Sequence, residues 1–134
     1  MSFTPFQPED IFSREEFNTL FQMIFDSTVN IQTGTYTGKG VFGESNPNSL
    51  TFNFTPKLVI ISGNSTKETV GSLIFVRNST LAEGFHVKGQ YQRNVLSWGE
   101  NTVSWYSQAL GGYTSSADFQ ANASGIRYYY IAIG

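Results

Sequence analysis

The chain has 134 residues, a formal net charge of −2 and no cysteine. That fits one domain with a short appendage and excludes a disulfide scaffold, thiolate metal sites and cysteine catalysis. Charged residues make up only 13% of the chain and form no basic cluster, so the concentrated positive field that a nucleic-acid backbone requires is missing. No apolar run approaches the roughly 20 residues that span a bilayer, which sets a membrane aside as well.

Ser, Thr and Asn together number 38, and aromatic residues reach 16%. This is the profile of an all-β domain with a neutral, hydroxyl-rich surface. The opening stretch MSFTPFQPEDIF lacks the basic and apolar regions of a signal peptide, so synthesis and use in a cytoplasm are expected.

Residues 1–32 differ from the rest. Their charges, Glu9, Asp10, Arg14, Glu15, Glu16 and Asp26, net −4. Ser13 and Glu16 have the spacing of a capping box, and Phe12 and Phe17 that of a hydrophobic staple. Phe17, Leu20, Phe21, Ile24 and Phe25 then recur at helical spacing. A helix over about residues 13–28 is predicted, with an aromatic stripe that needs burial. The stripe packs either on the protein's own sheet or against other copies or a larger partner.

From residue 33 the period becomes two. Strands are predicted at 34–43, 49–54, 57–63, 70–77, 84–89, 95–98, 102–107, 117–122 and 127–134. Polar turn sequences separate them: SNPN, SGNST, RNST, WGEN, LGGYTSS and NASG. WGEN reads as a tight hairpin. Short strands without intervening helices argue an antiparallel sandwich or barrel, and an antiparallel β-sandwich with the one N-terminal α-helix ahead of it is the expected fold. In the closing RYYYIAIG, Tyr129, Ile131 and Ile133 alternate with Tyr128, Tyr130 and Ala132. Both faces of that strand are apolar or amphipathic, which predicts a central strand covered on both sides.

Little chemistry is signalled. GTYTGKG has the wrong glycine spacing for a phosphate loop, and Gly40 sits where a Mg²⁺-binding hydroxyl belongs. His86 is the only histidine and lies in strand-like sequence, which favours a structural role. Glu44, Glu68, Glu83, Glu100 and Asp118 are scattered acids without motif support. No metal site, no cofactor and no catalytic residue is expected. The aromatic turns are more informative. Trp98, Glu100 and Asn101 share one turn, and Tyr113 lies in another among glycine and serine. Aromatic faces beside amides and carboxylates are how sugars are bound, so these four are the candidate ligand-binding residues. The competing reading places Trp98 and Trp105 in the core or an interface.

NTVSWYS with SADFQANASGIRYYYIAIG, preceded by GTYTGKG and NSLTFNFTPKLVII, resembles the C-terminal domains of tail-fibre and baseplate proteins from phages and prophages of Gram-positive bacteria. The likeness covers residue 33 to the end. FTPKLVII and the closing strand are also similar to H-type lectins, which are trimeric six-stranded sandwiches that bind N-acetylgalactosamine-like sugars. No sugar-contacting lectin position maps onto this chain, so that specificity does not carry over. The resemblance implies a non-enzymatic virion protein of the tail, made in the bacterial host and assembled as a homotrimer with other virion proteins. It also implies binding of host-surface polysaccharide or teichoic acid. The interface candidates are Phe17, Phe21 and Phe25 on the helix, and Tyr128 and Tyr130 on the closing strand. A purely structural decoration or assembly protein, and a bacterial carbohydrate-binding module outside any phage, are the alternatives.

Overall fold

The computed structural model describes residues 14–26, 29–63, 72–85 and 91–134. Helix α1 is Arg14–Asp26, and among the described residues nine strands follow: β1 Ile31–Thr37, β2 Asn48–Thr51, β3 Leu58–Gly63, β4 Leu73–Val76, β5 Leu81–Phe85, β6 Tyr91–Trp98, β7 Thr102–Ser107, β8 Tyr113–Thr114 and β9 Arg127–Ile133. The first sheet has the order β1-β9-β3-β4 and the second the order β2-β7-β6-β5, with β8 pairing on β6. All pairings are antiparallel except β6 with β8. The chain is therefore mainly β, a sandwich with one helix, as its two-residue period predicts.

Sequence alternation and strand register decide which side chains meet. The inner face of the first sheet carries Gln32, Ala132, Val59 and Phe75 in one row, and Gly34, Tyr130, Ile61 and Leu73 in the next. Opposite them stand Val103, Trp105 and Leu96 of the second sheet. Phe75 lies 5.1 Å from the Trp105 ring, and Phe52 meets Tyr130 edge-on at 6.0 Å. Offset and edge-on contacts of this kind suit the ring quadrupoles and add to plain apolar burial.

The closing strand is central, as its composition predicts: β9 lies between β1 and β3 from residue 128 to residue 133. Tyr128 and Tyr130, expected at a subunit contact, point into the sandwich instead. The reason is local. Gly34 lies beside Tyr130 and Gly63 beside Tyr128, and an added Cβ would come within 2.4 Å of the Tyr130 hydroxyl and 2.3 Å of the Tyr128 ring. Tyr128 then stacks on Tyr36 at 5.2 Å and its hydroxyl accepts a bond from the Ala123 N–H at 3.0 Å. The outer face of β9 is left with Tyr129, Ile131 and Ile133.

Other expectations need correction. Residues 117–121, read as part of a strand, form a turn closed by Asn122 N–H donating to Ala117 O at 2.8 Å. The first strand spans 31–37 and not 34–43, because Gly38 and Gly40 turn the chain toward residues 122–126. Strand β6 begins four residues earlier than its apolar segment. LGGYTSS, read only as a turn, contains β8. The WGEN hairpin is present, with Trp98 opposite Val103 and the Gly99 N–H donating to Thr102 O at 3.0 Å. In α1 the side chains of Phe17, Leu20 and Phe21 are exposed, so this part of the stripe is not packed on the protein's own sheet. Ser13, Glu68, His86 and the Phe25 side chain lie outside the described residues.

Gly63→Ala should overpack the Tyr128 ring and destabilise the fold by about 1–3 kcal/mol. A urea midpoint lowered with an unchanged slope in equilibrium unfolding is the expected result.

Candidate functional site

Edge strands β1 and β2 belong to different sheets but lie along the same side of the sandwich. Residues 38–47 cross from one to the other and leave an open cleft of about 580 Å³. Its floor is Tyr36, Trp105 and Leu50, and its walls include Thr37, Lys39, Val41, Ser45, Asn46, Asn48, Ser49 and Asn122.

The crossing segment has no regular structure of its own, so its backbone groups need other partners. Two side chains of the 117–122 turn supply them. Gln120 is fully buried. Its Oε1 accepts from Gly43 N–H at 2.9 Å and Ser107 N–H at 2.8 Å, while its Nε2 donates to Asn46 O at 2.8 Å and Asn48 Oδ1 at 3.0 Å. A primary amide has two donors and two acceptor lone pairs, and all four are used. Asn122 does the same nearer the edge: Oδ1 accepts from Lys39 N–H at 3.0 Å and Nδ2 donates to Val41 O at 2.7 Å. The turn itself is anchored by the Trp105 indole N–H on Gln120 O at 2.7 Å and the Tyr36 hydroxyl on Ala121 O at 2.7 Å. Ala121 adopts a positive φ of 56°, a conformation uncommon outside glycine and asparagine. Its carbonyl thereby receives both Tyr36 and the Asn48 amide, the latter at 3.3 Å.

Burial pushes the Tyr36 hydroxyl well above its ordinary range, and the nearby Tyr128 adds to this, with a small opposing effect from the bond to Asn48. Burial also raises Tyr128. Both rings therefore stay neutral. Lys39 is the only charged residue in the lining, which otherwise offers hydroxyls, amides and apolar edges. The chemistry available is hydrogen bonding and contact with a neutral or weakly anionic, hydroxyl-bearing molecule.

The four candidate residues from the aromatic turns are not brought together. Trp98, Glu100 and Asn101 lie at one end of β6, and Tyr113 pairs with Tyr91 at the other. Seven residue steps of extended chain separate them, roughly 23 Å. Each side chain except Glu100 is committed locally. The Trp98 N–H donates to Ser79 O at 2.9 Å, with the Arg77 guanidinium 5.6 Å from its ring. Asn101 donates to Phe52 O at 3.1 Å. The Tyr113 hydroxyl donates to Glu83 at 2.9 Å, and its ring lies 4.0 Å from the Arg93 guanidinium, which itself pairs with Glu83 at 3.0 Å. Glu100 stands exposed at the hairpin tip. Trp105 is a core residue.

Sequence reasoning missed the cleft, whose residues come from three distant segments. The run SNPN held a usable signal, because a Ser-Asn-Pro-Asn turn between two predicted strands marks a connecting segment. Among the described residues no group of three His, Cys, Asp or Glu could hold a metal ion, and no helix is long and apolar enough to cross a membrane. No protein-family model, curated protein or solved structure matches the chain.

Two expectations follow. Gln120→Leu leaves the Ser107 and Gly43 N–H groups, the Asn46 carbonyl and the Asn48 amide oxygen without this partner, and should cost on the order of 3 kcal/mol or more in denaturant unfolding. For Tyr36 the folded chain holds its proton more tightly than the unfolded chain, where the ordinary value is 10.0. The resulting stability is complete below that value and is lost as pH rises above it. Urea midpoints taken from about pH 8 to about pH 11 should fall less steeply in Tyr36→Phe than in the wild type.

Proposed function

We propose that this protein is a non-enzymatic virion component, a homotrimeric tail-fibre or baseplate subunit, whose β1–β2 cleft takes a hydroxyl-rich ligand from the host surface. The observation that carries the binding reading is the cleft. It is large enough for one or two sugar or polyol units, open to solvent, and lined by amides and hydroxyls over an aromatic floor. Pockets of this size with a few fixed polar groups are the usual form of a small-ligand site. Its walls are held by Gln120 and Asn122, so they are formed before a ligand arrives, which limits the ordering cost of binding. Lys39 gives the site a single positive charge, suited to a polyol phosphate such as a teichoic-acid unit. The virion setting comes from the resemblance of residues 33–134 to phage tail domains. A purely structural virion role is the second reading, and the apolar outer surface of the first sheet favours it.

The test is titration of the ¹⁵N-labelled chain with poly(glycerol phosphate) and with N-acetylhexosamine oligosaccharides. Shifts of Lys39, Ser45, Asn46 and Ser49 amides are expected with one of them. Asn46→Ala and Lys39→Ala should each weaken that binding about tenfold, the effect of one or two lost polar contacts. Binding that leaves these amides unmoved, or no binding by either class, would favour the structural role.

A further inference from the structure

The two edges of the sandwich are treated differently. At the β1–β2 edge the crossing segment is tied down by the amides of Gln120 and Asn122. At the opposite edge the terminal strands are β4 and β5. Between them lies a groove of about 340 Å³, with Leu73 and Ile74 of β4, Ala82 and Gly84 of β5 and Gln92 of β6 in its lining.

Gln92 is 8% exposed, and its Oε1 is buried without a hydrogen-bond partner. Its side chain runs across the edge strand at Gly84, where an added Cβ would stand 3.0 Å from Gln92 Nε2 and 3.5 Å from its Cγ. The missing side chain at position 84 is what lets the amide reach the groove. A buried acceptor without a donor is costly and uncommon. Gln120 uses all four of its hydrogen-bonding positions, whereas the Gln92 oxygen still requires an N–H or O–H.

The backbone along this groove is also turned outward. The Arg77 N–H bonds Lys57 O at 2.9 Å, so Phe75 and Leu73 face β3 and the N–H and C=O of Ile74 face away from it. The Leu96 N–H bonds Thr80 O at 2.8 Å, so Ala82 and Gly84 face β6 and the N–H and C=O of Leu81 and Glu83 face the open edge. Sheet edges are commonly blunted by Lys, Pro or a bulge. The β4 sequence LIFV and the β5 sequence LAEGF contain neither residue, and both registers run without a break.

We propose that the β4–β5 groove is a second binding site, for an extended peptide segment of another protein that adds to β5 as an antiparallel strand and gives a side-chain donor to Gln92 Oε1. The outward N–H and C=O pairs of Leu81 and Glu83 select a peptide, because a polypeptide edge carries matching groups at the same spacing. A sugar or polyol could supply a hydroxyl to Gln92 but not that ladder. Strand alternation then sets the sequence. The peptide residues opposite Ala82 and Gly84 point inward. The first meets Leu73 and Ala82 and is apolar. The second meets the Gln92 amide and carries an amide or hydroxyl. Glu83 is the only ionised residue in the lining, and its carboxylate already bonds Arg93 and the Tyr113 hydroxyl, so the inward residues are uncharged.

This site is independent of the cleft and of the virion setting, so each can fail without the other. The test is titration of the ¹⁵N-labelled full chain with acetyl-Thr-Asn-Thr-Val-Thr-amide up to about millimolar concentration. In the antiparallel register its Asn stands opposite Gly84 and its Val opposite Ala82. The amides of Leu81 and Glu83 and the Gln92 side-chain amide should shift, and those of Lys39 and Asn46 should not. Replacing the peptide Asn by Val should weaken binding about tenfold. In Gln92→Leu, checked for fold by far-UV circular dichroism, that preference for Asn should disappear. N-methylation of the central Thr, whose N–H faces Glu83, should abolish binding. No shift at millimolar peptide would overturn the proposal and leave the Gln92 oxygen to water. Binding that survives N-methylation would overturn strand addition, and an Asn preference unchanged in Gln92→Leu would overturn the role of Gln92.

Discussion

The buried amide of Gln120 is the constraint on which most of the described structure depends. It joins three segments that have no ladder in common: the 38–47 crossing, strand β7 through Ser107, and the 117–122 turn. A crossing segment ten residues long has many conformations, and ordering its backbone is costly. One fully satisfied amide offsets part of that cost, because leaving its partners unpaired in a dry site would be worse still. The Trp105 indole and the Tyr36 hydroxyl extend the same network to the aromatic floor. The cleft between β1 and β2 is thus a by-product of how the sandwich closes its edge.

The run of three tyrosines in β9 shows how strand alternation assigns identical residues to different tasks. Tyr128 and Tyr130 turn inward, each over a glycine on the adjacent strand, and fill the space that the missing side chains leave. Tyr129, one residue away, faces solvent. A one-residue slip of β9 would put a single tyrosine inside and expose the other two. The glycines and tyrosines therefore specify register together, and the apolar outer rows follow from it.

Much of this fold was legible in the sequence. Strand β7 matches its predicted limits, the WGEN hairpin has the expected pairing, and β9 is central because both its faces are apolar. The failures have physical causes. ADFQAN alternates like a strand, yet Gln120 and Asn122 use their amides to bind backbone, which a ladder position would not allow. Residues 91–94 were missed because their inward side chains, Gln92 and Asn94, are polar and buried, and hydropathy cannot show that. The site was the least legible part. Trp98 and Tyr113 look available in sequence, and only the structure shows them engaged by Arg77 and by Glu83 with Arg93. The cleft residues lie in three separate segments and share no motif.

The outer surfaces of the two sheets differ in apolar content. The outer face of the second sheet has threonine and serine in two rows and Tyr106, Val95 and Leu81 in the next, while the first presents isoleucine, leucine and valine across its strands. Chance exposure of single apolar residues is ordinary, but one row that runs unbroken across four strands, beside a second interrupted only at Thr33, is not a set of scattered singles. The cleft opens at the shared β1–β2 edge, away from the centre of those rows. A copy docked on the first sheet would therefore cover the apolar rows and leave the Lys39–Asn46 rim in solvent. In the proposed function, assembly and ligand access would then use different faces of one small sandwich, and clustered copies would raise the effective concentration of sites.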